Sequence, residues 1–273
     1  MKVLIVIDAN EPNEDILRFS SQFLSRAADT PTILVVLDHK GEYLPSIVDE
    51  IQTLSRKLLD CHDLITRVRI GYLAEEIIKE TKGGKYQLVI IGEKQTHHLS
   101  HLPHSSEAVY VAENAACPVI IVKGNVRPIR RILLCDSGAG RSVILSRFTT
   151  QLAEMLEGEE DITVLHVMSQ ISAGPGVRGN LLRASAEELI DQFTSEGEIL
   201  GNDTQVLEQP GIHPIPKVRH GFVVDEILAE ARSGDYDLAV IGAYRSEGWQ
   251  RFLLDDLARK VLIRIDRPVL VVR

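Results

Sequence analysis

The chain has 273 residues, 44% of them apolar and 25% charged, with a mean hydropathy of +0.02. That composition supplies a sizeable core and excludes disorder as the main state, and at roughly 150 residues per domain the length suggests two domains. The formal charge of −9 is spread evenly, with 17 acids against 13 bases up to Gly124 and 22 against 17 after it. Neither half carries the basic footprint of a phosphate-backbone binder, so no nucleic acid is expected as partner.

Val3 to Ile7 is β-branched or Leu throughout, as suits a strand buried on both faces of a parallel sheet. It stops at Asp8, too short for a signal-peptide core, and no apolar run approaches the roughly 20 residues of a membrane span. Ile16, Phe19, Phe23, Leu24 and Ala27 recur at helical spacing, Ile33 to Leu37 is a second strand, and Leu44 to Leu59 reads as a helix. Leu64 to Ile70, Ala74 to Thr81 and Leu88 to Ile91 read as strand, short helix and strand. A helix from about Ser105 and a strand from Pro118 to Val122 complete the set. Strands alternating with helices predict a doubly wound parallel α/β sheet, because parallel neighbours need long crossovers.

The script then restarts. Ile132 to Asp136 repeats the strand-then-Asp opening of Leu4 to Asp8, and Leu145 to Leu156 supplies its first helix. Val218-Arg219-His220-Gly221 matches Val68-Arg69-Ile70-Gly71, Asp237 to Gly242 matches Gln87 to Gly92, and Arg267 to Val272 matches Cys117 to Val122. An internal repeat of this kind governs every later reading. Three offsets near the end are 150, against 128 from Asp8 to Asp136, so about 22 extra residues sit in the second copy before Gly221, mostly within 171–218. Gly174-Pro175-Gly176 and Pro210, Pro214 and Pro216 mark that stretch as loop. Within it, Leu181 to Leu200 reads as a helix with Leu182, Ala186, Leu189, Ile190 and Phe193 on one side, packing against its own sheet. The expected organisation is a domain at 1–124, a linker at 125–130 and a second domain at 131–273.

Each half resembles a universal stress protein domain. The likeness rests on the strand ending in Asp, V-x-x-G before the third helix, the strand D-L-A-V-I-G at 237–242 matched by Q-L-V-I-I-G at 87–92, and the closing Cys117-Pro118-Val119 or Arg267-Pro268-Val269. The resemblance implies two tandem five-stranded domains of the adenine nucleotide alpha hydrolase-like fold, docked as an intramolecular pseudo-dimer along the closing strands 119–122 and 269–272. A homodimer of whole chains is left open.

Nucleotide-binding members of the family carry G-x-x-G-x9-G-[ST] after the fourth strand, where glycines let backbone N–H groups approach phosphate and a helix N-terminus adds its dipole. The matching positions here are Gly92, Gln95, Ser105 and Ser106 in the first half, so both later glycines are lost, although Lys94, Ser105 and Ser106 could still contact phosphate. The two serines could equally cap the fourth helix. In the second half the positions are Gly242, Arg245, Asp255 and Asp256, and two carboxylates stand where phosphate belongs, read as helix caps within reach of Arg245 and Arg251. The resemblance places Asp8 and Asp136 beside ribose and base, with Val36 and Val167 against adenine. Alternatively, an Asp at a strand end satisfies a turn.

His97, His98, His101 and His104 form a His-rich loop with the ligand chemistry for zinc, but Pro103 interrupts any helix through them. Cys61, Cys117 and Cys135 are an odd number without C-x-x-C spacing, and the last two read as core. Glu75-Glu76, Glu159-Glu160 and Glu187-Glu188 read as solvated faces rather than acid/base pairs. No Ser-His-Asp, G-x-S-x-G or P-loop pattern is found. The expectation is a cytoplasmic, non-enzymatic stress-response protein with degenerate nucleotide sites, acting through a protein partner. The alternative is an ATP or AMP sensor, weakly hydrolytic, using the first domain only.

Overall fold

The computed structural model describes residues 1–27, 29–38, 45–61, 63–93, 107–136, 142–168, 184–243 and 256–273, and the chain divides into two compact units, Met1–Pro128 and Ile129–Arg273. Unit 1 runs β1 (Val3–Asp8), α1 (Glu14–Leu24), β2 (Thr32–Leu37), α2 (Pro45–Leu59), β3 (Ile65–Ile70), α3 (Leu73–Gly84), β4 (Leu88–Gly92), α4 (Glu107–Asn114) and β5 (Val119–Val122). Its strands are parallel in the order β3-β2-β1-β4-β5. From β1 the chain winds outward to β3, then returns to the other side of β1, so the order reverses between β1 and β4 and opens a crevice at their carboxyl ends. β1, β2 and β4 are almost wholly buried because helices cover both faces, while the outer β3 has no fully buried residue, only Thr66 and Arg69 being half-buried.

Unit 2 repeats this with β6 (Arg131–Asp136), α5 (Ser142–Ala153), β7 (Glu160–Met168), α6 (Ala186–Asp191), α7 (Ser195–Leu207), β8 (Ile212–His220), α8 (Val223–Ser233), β9 (Leu238–Gly242), α9 (Asp256–Arg264) and β10 (Val269–Val272). Its parallel strands follow β8-β7-β6-β9-β10.

The extra residues of unit 2 depart from expectation in two places. Pro214 and Pro216 do not mark a loop. They lie inside β8, paired level with Ile162 and Val164. Spaced by two, they turn their nitrogens to the outer side, where an edge strand needs no donor. The run from Leu181 to Leu200 is also not one helix. Ser185 and Glu188 close a capping box that starts α6, and Phe193 then takes a left-handed φ of 51° and is 82% exposed. Thr194 accepts from the Gly197 N–H at 3.0 Å and starts α7. Gly197 makes the corner possible, since a Cβ there would stand 2.0 Å from the Leu189 carbonyl oxygen. Ala186 and Leu189 are buried as expected, Phe193 is not, and Leu182 lies outside the described residues.

Register corrects the match of Asp8 to Asp136. Val3 pairs with Leu88 and Ile132 with Leu238, and since Leu88 and Leu238 are 150 apart, β1 maps onto β6 with an offset of 129. The Lys2 ammonium over the Tyr86 ring at 4.8 Å and the Arg131 guanidinium over Tyr236 at 5.5 Å obey the same offset. Asp8 therefore corresponds to Ser137, outside the described residues, and Asp136 to Ile7. A one-residue shift moves a side chain to the opposite face of the sheet. Asp136 is accordingly buried, level with the buried His166, where unit 1 has Ile7 level with Val35.

The adjacent acid pairs are solvated only in part. Successive residues point apart, and one of each of the first two pairs points inward: Glu76 is 7% exposed and Glu160 2%. Each meets a cation, Lys79 at 2.6 Å from Glu76 and Arg130 at 3.6 Å from Glu160. Glu187 and Glu188 are exposed. Cys117 and Cys135 are buried, and burial, with Glu230 and Asp136 nearby, pushes the Cys135 thiol far up, out of reach of thiolate chemistry at neutral pH.

Candidate functional site

At the strand-order reversal of unit 1 lies a cleft of about 440 Å³. Val6, Ile16, Ile91 and Val111 supply apolar walls. Its polar lining is acidic, with Asp8 from the end of β1, Glu11 and Glu14 from the entry to α1, Glu93 after β4, and Glu107 opening α4. No Lys or Arg lines the cleft among the described residues. Two of its acids draw cations into pairs, Glu14 with Arg18 at 2.9 Å and Glu93 with the buried Lys123 at 3.3 Å.

The structure brings Asp8 and Gly92 together in this cleft, with Val36 level with Asp8 and 2% exposed. Asp8 closes a turn: its Oδ1 accepts from the Asn10 N–H at 2.9 Å and from Nδ2 at 3.1 Å, while the Ala9 N–H donates to the Val36 carbonyl at 2.9 Å. Gly92 has a packing role, since a Cβ would come 2.7 Å from Ile16 Cδ1 of α1. The N-terminus of α1, the positive end of a dipole facing the cleft, is already occupied by chain groups. Asn13 accepts from the Asp15 N–H at 2.8 Å, and Glu14 and Asp15 fill the first turn.

Lys94, Gln95, Ser105, Ser106 and the histidines His97, His98, His101 and His104 lie outside the described residues, as do Arg245, Arg251 and Asp255. Among the described residues no group of three or more His, Cys, Asp or Glu could hold a metal. In unit 2, Gly242 ends β9, Asp256 opens α9 as an acid in its first turn, and Val167 is half-buried, level with Arg219. Motif reading missed Glu11, Glu14, Glu93 and Glu107, although each directly follows or lies within a few residues of a motif position. The signal was the charge of the spacer residues, not of the motif itself.

A second constellation occurs twice at the 150-residue offset. The buried Glu80 carboxylate takes Arg69 Nη2 at 2.5 Å, Arg67 Nη1 at 3.0 Å and the Tyr86 hydroxyl at 2.8 Å. The buried Glu230 takes Arg219 Nε at 2.6 Å, Lys217 Nζ at 2.8 Å and the Tyr236 hydroxyl at 2.6 Å. Burial alone would raise both carboxyl pKa values. The hydrogen bonds from Arg69 and Tyr86, and from Lys217, Tyr236 and Arg219, outweigh it and hold both below the ordinary carboxylate range. Burial and the same glutamate push the Tyr236 hydroxyl up to about 12. These clamps tie the outer strand to the helix behind it.

Together these features define a doubly wound α/β protein built twice, with its crevice at the switch point and an acidic lining in unit 1. The universal stress protein family model matches residues 1–123 and again 128–273, and the chain belongs to the universal stress protein family. Among solved structures, a candidate universal stress protein from Pseudomonas aeruginosa UCBPP-PA14 is similar over 99% of this chain and 92% of its own, at 18% identity and a TM-score of 0.70. A universal stress protein from Archaeoglobus fulgidus is similar over 99% and 96%, at 16% identity and a TM-score of 0.60. At these identities the likeness speaks for the fold. No curated protein matches the sequence. No helix among the described residues is long and apolar enough to cross a membrane.

Proposed function

We propose that this chain is a non-enzymatic stress-response protein that acts in the cytoplasm through a protein partner, with nucleotide sites that have lost their ligand. The acidic lining of the unit 1 crevice carries the reading. At an effective dielectric of about 20, two unit charges 6 to 8 Å apart repel by roughly 2 to 3 kcal/mol. Binding at a millimolar dissociation constant is worth only about 4 kcal/mol. Two such repulsions match that gain, and the cations on Glu14 and Glu93, Arg18 and Lys123, lessen them without reversing the sign of the lining. The domain boundaries at 124 and 131, and docking of the domains along the apolar strands 119–122 and 269–272, belong to the same reading.

The second reading, an ATP or AMP sensor using domain 1, is favoured by Asp8 and Gly92 meeting in a cleft at the switch point. It would draw on Lys94, Ser105 and Ser106 for phosphate and Val36 for adenine, and zinc at the four-histidine loop would be a separate addition. Both are tested on purified full-length protein by denaturing it and assaying the supernatant for nucleotide and zinc, then measuring thermal shifts with ATP plus Mg²⁺. The expected result is no released nucleotide and no shift at millimolar ATP. A 10 μM site would stabilise by about 2.7 kcal/mol at a hundredfold excess, a shift on the order of 10 °C. Such a shift, lost in Ser106→Asp, would install the sensor reading instead.

A further inference from the structure

The two units differ on the face of the outer strand turned away from the carboxylate clamp. Arg67 and Arg69 point to α3, and Lys217 and Arg219 to α8, so the alternate residues Val68 and Ile70, or Val218 and His220, lie on the opposite face. In unit 2 that face is covered. Met168, Ala184 and Leu189 form a buried cluster with Val218 packed against it, and His220 Nε2 lies 3.1 Å from the Ala184 carbonyl oxygen. Leu189 belongs to α6 and Ala184 to its lead-in, so the cover is the inserted segment itself.

Among the described residues, unit 1 has the same floor without that cover. Leu37 is level with Ile70 as Met168 is with His220, and the Gly71 and Gly221 N–H groups donate to the Leu37 and Met168 carbonyls at 2.9 and 3.2 Å. Between β2 and α2 the chain spends only residues 38–44, where unit 2 spends 169–194 between β7 and α7. Val68 is left 37% exposed and Ile70 52%, while Tyr72 beyond Gly71 is exposed just as its counterpart Phe222 is in unit 2. At the centre of this face unit 1 has Ile70 in place of His220.

We propose that the Val68–Ile70 face of β3 is a docking surface for a short amphipathic helix of a partner protein, one that presents alanine and leucine as Ala184 and Leu189 do within unit 2. The occupant is identified by the internal repeat, since the chain itself shows which chemistry closes this surface on the same scaffold. A helix laid by its apolar face into a hydrophobic surface is a recurrent recognition mode, and a patch this small predicts weak, transient binding. Edge pairing with a second copy is opposed by charge. In the two-fold antiparallel registers that overlap most of β3, Arg67 stands opposite Arg67 or Arg69 of the copy. The inference rests on the partner-mediated reading, but the patch shares no residue with the crevice. Nucleotide thermal shifts therefore report on that reading and the following experiment on this one.

The probe is a hydrocarbon-stapled helical peptide with the sequence of residues 184–194, titrated into full-length protein carrying methyl-labelled Ile, Leu and Val. Saturable shifts at Val68, Ile70 and Leu37 are expected, with affinity at least tenfold weaker in Ile70→Asp. Ile70 is half-exposed, so that variant should keep the wild-type melting temperature. Should it misfold, Ile70→Ser combined with Val68→Ser is expected to weaken binding in the same direction. The proposal is overturned by unperturbed Val68 and Ile70 methyls up to about 1 mM peptide, or by binding that the folded variants retain. It is also overturned by a concentration-dependent dimer in sedimentation that Ile70→Asp dissolves, which would give the surface to a second copy.

Discussion

Unit 1 and unit 2 share one scaffold and keep the same carboxylate clamp at the same spacing, yet they treat the ends and outer edge of their sheets differently. Glu80 and Glu230 each gather two cations and a tyrosine hydroxyl, so this part of the repeat keeps its chemistry, with Lys217 in unit 2 standing where unit 1 has Arg67. At the carboxyl end of the first strand, unit 1 has Asp8 facing the crevice, whereas unit 2 has Asp136 turned to the other face beside His166. On the outer strand, unit 1 shows Val68 and Ile70 to solvent, and unit 2 covers their counterparts and replaces two edge donors with Pro214 and Pro216. The difference teaches that the interactions attaching the outer strand to the helix behind it keep a cation at each place even where Arg gives way to Lys, because a buried glutamate without its cations is costly. The rims, where side chains meet solvent or ligand, are free to change.

The equivalence of the clamps is the strongest point to attack. Glu80→Ala and Glu230→Ala should each destabilise their own unit by about 3 kcal/mol, the lower end for a broken buried pair, because Arg67, Arg69, Lys217 and Arg219 are partly exposed and can regain water. Urea unfolding followed unit by unit checks this, and losses differing by more than about 1.5 kcal/mol would break the comparison. Both carboxyls have lowered pKa values in the folded state, so their stabilisation is full above the ordinary carboxylate range and is lost as pH falls below it.

Gly197→Ala strikes unit 2 alone. The added methyl meets the Leu189 backbone, which cannot swing aside, and a loss of about 2 to 3 kcal/mol in the unit 2 transition is expected, with unit 1 untouched.

Mild acid should separate the units further. Burial lowers the His166 pKa, partly opposed by Asp136 and Glu196, so the unfolded state takes up the proton first. Unit 2 is then most stable above the ordinary histidine pKa of about 6.5 and loses up to about 1.4 kcal/mol per pH unit as pH falls from there towards the folded-state value. Unit 1 has Val35 at this place and should show no such slope. Stability curves between pH 8 and 5 for wild type and His166→Val test it, and a slope that survives the substitution would assign the effect elsewhere. The smallest effect is Thr194→Ala, which removes the cap of α7 and should cost about 1 kcal/mol in unit 2 by the same unfolding assay.

Much of the fold could be read from residue patterns. Apolar runs such as Val3 to Ile7 and Leu88 to Ile91 have one physical solution, a strand covered on both faces, and the repeated glycines and prolines at offset 150 place the second sheet onto the first. Pro214 and Pro216 misled because proline argues against a strand only when the strand has two neighbours, and edge position is a property of the whole sheet. The helix over 181–200 was overextended because apolar periodicity does not register a corner where Gly197 lets one helix touch the carbonyl of another. The Asp8 to Asp136 match followed sequence likeness where strand pairing required a shift of one. The acids of the crevice stood in plain view, but only the fold gathers Asp8, Glu11, Glu14, Glu93 and Glu107, spread across a hundred residues, around one cleft.

By itself the sequence determined the class of the protein: two copies of a doubly wound α/β unit, with Gln95 and Ser105 where the family resemblance expects glycines. Those features are local, written in hydrophobic period and glycine spacing. The tertiary structure alone decided which face each charged residue occupies, which glutamates are clamped in the interior and which line a cleft, and that unit 1 leaves open a surface its twin closes. Each of these depends on strand register and on neighbours distant along the chain, where a shift of one residue turns a cleft position into a core position.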